Sequence, residues 1–399
     1  MALISIEDPR RRAAPPKGFA LFALGFRPFF VGAGLSAVLL MAMWLVLYRS
    51  GAQFGLGVPP VLWHAHEMIF GFSGAVIAGF LLTAVQNWTQ VRTAHGTPLV
   101  LLFALWLAAR IAPFLPGLPM TLAAVPDLLF FPAVMIAIAM PILRVKQARN
   151  YAFPLMLAML TVANVLVQGD MLGWMHQTAR LGETLAIYMI VLMIVVMGGR
   201  VIPSFTDNKL RTQARRWKAV EWLAPATTLA VLGAVLADPL APLTGLVAAL
   251  AALVHGLRLY GWQTRKLWSV PLLWVLHLGY GWIVLGFVLM GFSTLGWVAS
   301  SVAVHAFTAG AIGTLTLGMM ARVGLGHTGR MLEPARIISA AFGLIVLAAL
   351  VRVAAPLVLP QAYGQAIVLS GLLWMLAFGI FTLVYLPVLI SPRVDGKEG

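Results

Sequence analysis

The sequence predicts an all-α, polytopic transmembrane helical bundle of about twelve spans, and three observations predict it. Of 399 residues, 61% are apolar and only 10% are charged, with a mean hydropathy of +0.95, which leaves too little polar surface to coat a water-soluble globule. The apolar runs are close to the ~20 residues that a helix needs to cross a bilayer. They lack period-two alternation, so their backbone groups are satisfied within helices and not in an outer-membrane barrel.

Taken in order, the spans are expected near 24–48, 61–85, 98–115, 122–143, 151–170, 181–200, 219–237, 240–260, 268–290, 295–321, 335–354 and 362–390. Pro113, Pro116 and Pro119 crowd the connection between the third and fourth. The first run, Leu24 to Tyr48, exceeds a signal-peptide core and lacks a convincing cleavage site, so it reads as a retained span. The organisation is then a cytoplasmic N-terminal segment 1–23, a twelve-helix domain 24–390 and a cytoplasmic tail 391–399.

Basic residues give an independent check on this count. The net charge is +15, and 22 of the 27 Lys and Arg residues fall in the N-terminus, the tail and every second loop, while the alternate loops hold only Arg49, Arg110, Arg180 and Arg352. Such a bias places the rich side, with both termini, in the cytoplasm. The charge is thus topogenic, with no soluble domain to present a nucleic-acid footprint. Cysteine is absent, which excludes disulfides, thiolate metal sites and covalent c-type haem attachment. Any metal must be held by His, Met or oxygen.

Three spans set four apart end alike, at Asn87-Trp88-Thr89, Ser204-Phe205-Thr206 and Gly326-His327-Thr328. Each Thr stands 23 residues after His66, Glu183 or His305, the spacing expected of a pseudo-threefold repeat of four-helix units.

The eight histidines sort by depth. His64 and His66 open the second span, His305 lies inside the outer end of the tenth and His277 lies within the ninth. His176 falls in an outer loop, and His95, His255 and His327 lie at the inner face. An imidazole in a bilayer needs a partner, whether as packing glue between helices or at a functional site. Similar depth makes His66 and His305 the expected axial pair for a haem iron. Residues two apart on a regular helix point about 200° apart, so His64 serves another client, a second metal, a haem propionate or the wet interface. His277 and His327 are the next candidate metal ligands. Glu67, the only acid of its span, is a candidate for proton relay or for orienting a His. Arg27 and Arg322 offer forks for carboxylates such as haem propionates, or anchors for acidic lipid headgroups.

Several blocks in order carry a family resemblance: Leu24-Gly25-Phe26-Arg27-Pro28-Phe29-Phe30, Trp63-His64-Ala65-His66-Glu67-Met68, Gly79-Phe80-Leu81-Leu82-Thr83-Ala84, Gly199-Arg200-Val201-Ile202-Pro203, and His305 through Gly318-Met319-Met320-Ala321-Arg322 to Gly329-Arg330. Over essentially the whole chain they resemble the NnrS family. That resemblance implies a twelve-span, haem- and copper-containing protein of the bacterial inner membrane, linked to denitrification and nitric oxide resistance. The expected cofactors are a non-covalent haem b and copper. The expected partners are nitric oxide, membrane lipids and a quinol or other electron donor, with no nucleic acid. Reducing two nitric oxide molecules to nitrous oxide and water takes two electrons and two protons, hence a donor, a second metal or haem and a proton path, for which Glu67 and His64 are the candidates. Two rivals stand beside a protein that binds or converts nitric oxide. A sensor or assembly factor for nitric oxide reductase would share every feature. A transporter or haem-metal carrier would show interrupted helices and a charged pair near the midplane, and the sequence shows no evident pair.

Overall fold

The computed structural model describes residues 18–51 and 58–397. Arg10, Arg11, Arg12 and Lys17 of the basic N-terminal segment lie outside the described residues. Among the described residues, twelve helices are long and apolar enough to cross a membrane: α1 Phe26–Ser50, α2 Pro60–Thr89, α3 Thr97–Phe114, α4 Met120–Arg144, α5 Ala148–Met171, α6 Ala179–Leu210, α7 Lys218–Ala237, α8 Pro242–Trp262, α9 Pro271–Thr294, α10 Ser300–Gly326, α11 Arg336–Val358 and α12 Pro360–Ile390. Every expected span is present, and the chain is a multi-pass membrane protein. The largest departure is α6, expected to end near 200 but continuing past Pro203 through the polar Asp207 and Asn208 to Leu210.

Local chemistry sets the ends. Pro60, Pro98, Pro242 and Pro271 stand in the first turns of α2, α3, α8 and α9, where a missing N–H costs nothing. Gly51 closes α1 at φ 66°, its N–H bonding Leu47 O at 3.0 Å, a backbone conformation that favours glycine.

Burial separates the helices into two shells. In α2, α6 and α10, 83%, 78% and 72% of the apolar stretch is buried, against 28–50% for every other helix but α9. The three central helices stand four apart, and the packing repeats with them: α2 packs on α4, α6 on α8 and α10 on α12; α4 on α5, α8 on α9 and α12 on α1; α5 on α6, α9 on α10 and α1 on α2. The pattern has the pseudo-threefold order anticipated from the Thr spacing. Its units are α2–α5, α6–α9, and α10–α12 completed by α1.

The ring closes where the chain ends meet. Ala20 N–H bonds Ile390 O at 2.8 Å, so both ends of the bundle domain lie on one face, here the terminal face; the other is the distal face. Arg27 is fully buried there, and its Nη1 donates to Leu389 O at 2.8 Å and Ser391 O at 2.7 Å. It satisfies carbonyls that the end of α12 leaves without intrahelical partners.

Candidate functional site

Two of the three central helices leave α-helical form at the same point of the repeat. Glu67–Ser73 of α2 and Ala306–Ile312 of α10 are π-helical, and the residues just before them are His66 and His305. A π segment widens the turn and rotates everything beyond it, and such segments occur often at functional sites. In α6 there is no such segment among the described residues, so the repeat is broken at Glu183.

On one side of α2, His66 enters a cluster of buried ions. Its Nδ1 lies 3.1 Å from Glu67 Oε1 and its Nε2 3.0 Å from Asp127 Oδ2. Arg110 of α3 donates Nη1 to Glu67 Oε1 at 2.7 Å and Nη2 to Asp127 Oδ1. Asn164 and Gln168 of α5 donate to Asp127 Oδ2 at 2.8 and 2.9 Å. His66, Glu67 and Asp127 are 3%, 5% and 4% exposed, so charge balance governs the arrangement. Two carboxylates oppose one guanidinium, and an imidazolium brings the sum to zero. An imidazolium lets both ring nitrogens donate to carboxylates, whereas a neutral ring would accept at Nε2 from Gln168 Nε2, 3.1 Å away.

On the other side of α2, His64 faces a cavity of about 410 Å³ between α1, α2, α10, α11 and α12, shared with His305, Arg352, Tyr48 and Tyr363. Trp44 stacks on His64 at 4.4 Å between ring centroids. The buried Nδ1 of His64 has no hydrogen-bond partner among the described residues. His305 Nδ1 donates to Ser301 O at 2.7 Å, which fixes the tautomer and leaves the Nε2 lone pair free to accept, the usual support of a metal-ligating His. Arg352 Nη2 reaches Tyr363 OH at 3.3 Å, and no Asp or Glu lines the cavity among the described residues.

The expected pairing of His66 with His305 therefore does not arise; the structure brings His64 and His305 together instead. The 200° argument separates His64 from His66, and the two do face opposite sides of α2; depth carries no information about azimuth, and it is His64 that shares the cavity with His305. Glu67 is likewise turned away from the cavity and held by Arg110. Arg27 and Arg322 lie at the terminal face. Arg322 sits 3.7 Å over the Phe205 ring, roughly 25 Å along α10 from His305 at 1.5 Å per residue, beyond reach of a group held there. His277 donates Nδ1 to Leu273 O at 2.9 Å and His327 packs on Phe26; neither lines the cavity.

The ion cluster and the cavity are versions of one layout. Each has the His before the π segment, an Arg in the last third of the first outer helix (Arg110 of α3, Arg352 of α11), and side chains four apart on the third (Asn164 and Gln168 of α5, Trp44 and Tyr48 of α1). Where the α2 unit supplies Asp127 and Glu67 to its Arg, the α10 unit leaves open space.

Sequence reading missed Arg110, Asp127, Asn164, Gln168 and Arg352. It took Arg110 and Arg352 for loop anchors and found no charged pair, yet Arg110 and Asp127 are paired inside the bundle. The signal was there: Arg110 is the lone basic residue of α3 and Asp127 the lone acid of α4, on adjoining ends of consecutive apolar spans. A second buried network was also missed. Arg258 of α8 pairs with Glu221 of α7 and donates to Val195 O at 2.8 Å and to Tyr280 OH at 3.1 Å; Tyr280 OH and His255 Nδ1 are 2.7 Å apart. Its groups satisfy one another and read as interhelical packing.

Among the described residues no group of three or more His, Asp or Glu is placed to hold a metal ion. The cavity instead presents two imidazoles, aromatic walls and one Arg, with no acid among the described lining residues. A comparison with curated proteins found no match. The family model for NnrS protein matches residues 20–393, spanning α1 to α12 and both faces of α2, and the chain belongs to the NnrS family.

Proposed function

We propose that this protein holds a non-covalent haem b in the His64–His305 cavity and binds nitric oxide there, as a multi-pass protein of the bacterial inner membrane with cytoplasmic termini. Family membership supports the general link to nitric oxide. The observation that carries the cofactor reading is the unpartnered His64 Nδ1 facing, across about 410 Å³, a His305 whose tautomer is fixed by Ser301 O, a volume within the range of ligand cavities. His64 and His305 would hold the iron, one imidazole giving up its place when nitric oxide binds, and Arg352 would take a carboxylate of the group. Bound there, haem supplies an iron that binds nitric oxide. The chain's own part is to orient the two imidazoles through Trp44 and Ser301 and to exclude water with Phe72 and Trp374.

No carboxylate stands among the described lining residues, so the two protons that reduction consumes would have to come through His64, His305 or the phenols of Tyr48 and Tyr363; binding makes no such demand. Copper is the second reading. Met41 and Met68 line the same cavity as His64 and His305, and a mixed imidazole and thioether set suits Cu(I). The transporter rival gains two interrupted helices and the Arg110–Asp127 pair. However, the space beside that pair is about 30 Å³, room for about one water and no substrate.

Optical spectra of purified protein, oxidised and reduced, with and without nitric oxide, test the reading together with metal analysis. His64→Ala and His305→Ala should each lose haem or change its spectrum, while His66→Ala keeps it. A colourless protein containing copper selects the second reading. Haem retained unaltered in both His64→Ala and His305→Ala refutes the ligand assignment.

A further inference from the structure

A second space lies on the axis of the bundle. The three central helices face one another across a cleft of about 90 Å³, bounded by Ile77 of α2, Met193 and Ile194 of α6 and Leu315 of α10. Two lining residues carry hydroxyls, and each is spent on its own helix: Ser73 Oγ donates to Met68 O at 2.9 Å and Thr316 Oγ1 to Gly313 O at 3.1 Å. Roughly three waters would fit by volume but would find no partners, and spaces of this kind stay dry and take apolar guests.

The cleft adjoins the His64–His305 cavity. Ser73 and Ile312 line both spaces, and they are the last residues of the two π segments. Both widened turns therefore end at the junction. At the far end of the cleft, toward the terminal face, Phe80, Val201 and Met319 are half-buried, so the space has apolar side chains where it nears the bundle surface.

We propose that the axial cleft is a dry binding and passage site for a small apolar molecule of two or three non-hydrogen atoms, admitting it from the membrane interior to the cavity between Ser73 and Ile312. The passage role rests on the cavity being the ligand site; the binding role does not. The cleft's volume excludes larger guests, and its lack of free polar groups excludes ions and water.

The test uses xenon as the probe on the full-length protein, by diffraction from crystals under xenon pressure, with haem content measured in parallel. Xenon should occupy the cleft, and Ile77→Trp should expel it. In the haem-loaded protein Ile77→Trp should slow nitric oxide association by about tenfold at unchanged haem content. Should Ile77→Trp fail to fold, Leu315→Ala, which enlarges the cleft, should raise xenon occupancy and speed association. A parent cleft without xenon, or association rates equal in the parent and in both variants, overturns the proposal. Xenon in the cleft of a protein that carries no haem supports the binding site while removing the cavity reading.

Discussion

Substituting Asp127 by Asn keeps its shape and removes one negative charge from a cluster that sums to zero. Arg110 and an imidazolium at His66 then face Glu67 alone, leaving one positive charge uncompensated among side chains 7% exposed or less. Breaking a buried pair from one side costs about 3–5 kcal/mol, whereas replacing both partners by apolar residues is often near neutral. Asp127→Asn and Arg110→Met should each destabilise by that ~3–5 kcal/mol. The double variant Asp127→Asn with Arg110→Met leaves His66 and Glu67 as a neutral pair, and should recover at least ~2 kcal/mol of the summed cost. Unfolding by SDS titration in mixed micelles, followed by tryptophan fluorescence, measures all three. Single variants within ~1 kcal/mol of the parent, or a double variant that merely adds the two costs, would show that charge balance does not hold the cluster together.

Two further expectations follow from placement. Arg352→Met should lower haem retention in a dialysis competition with a soluble haem acceptor, because it removes the only guanidinium among the cavity's described lining residues; Arg322→Met should leave retention at the parental level, and equal losses in the two would count against Arg352 as the carboxylate partner. For topology, a reporter fused after the C-terminus should read cytoplasm and one inserted near Asp238 should read the opposite side, following the 22 basic residues of the rich side; the reverse pattern would invert the orientation.

The sequence by itself determined the number of spans, their ends to within a few residues in most cases, and the sharing of one face by both ends of the bundle. It could do so because lipid imposes a local rule, that each crossing be about 20 apolar residues satisfying their own backbone. The fourfold stagger of the central helices was legible too, since Thr89, Thr206 and Thr328 mark corresponding ends of α2, α6 and α10. Depth was therefore readable for every His, but direction was not. Whether His64 or His66 meets His305 depends on which face of α2 turns toward α1 and α10, and that is settled by packing among helices far apart in the chain. Arg110 and Arg352 occupy like places in like helices, yet one is neutralised by Asp127 and Glu67 and the other lines open space. Only the tertiary structure decided that difference, because the acids that make it lie on neighbouring helices, whose contacts no local pattern encodes.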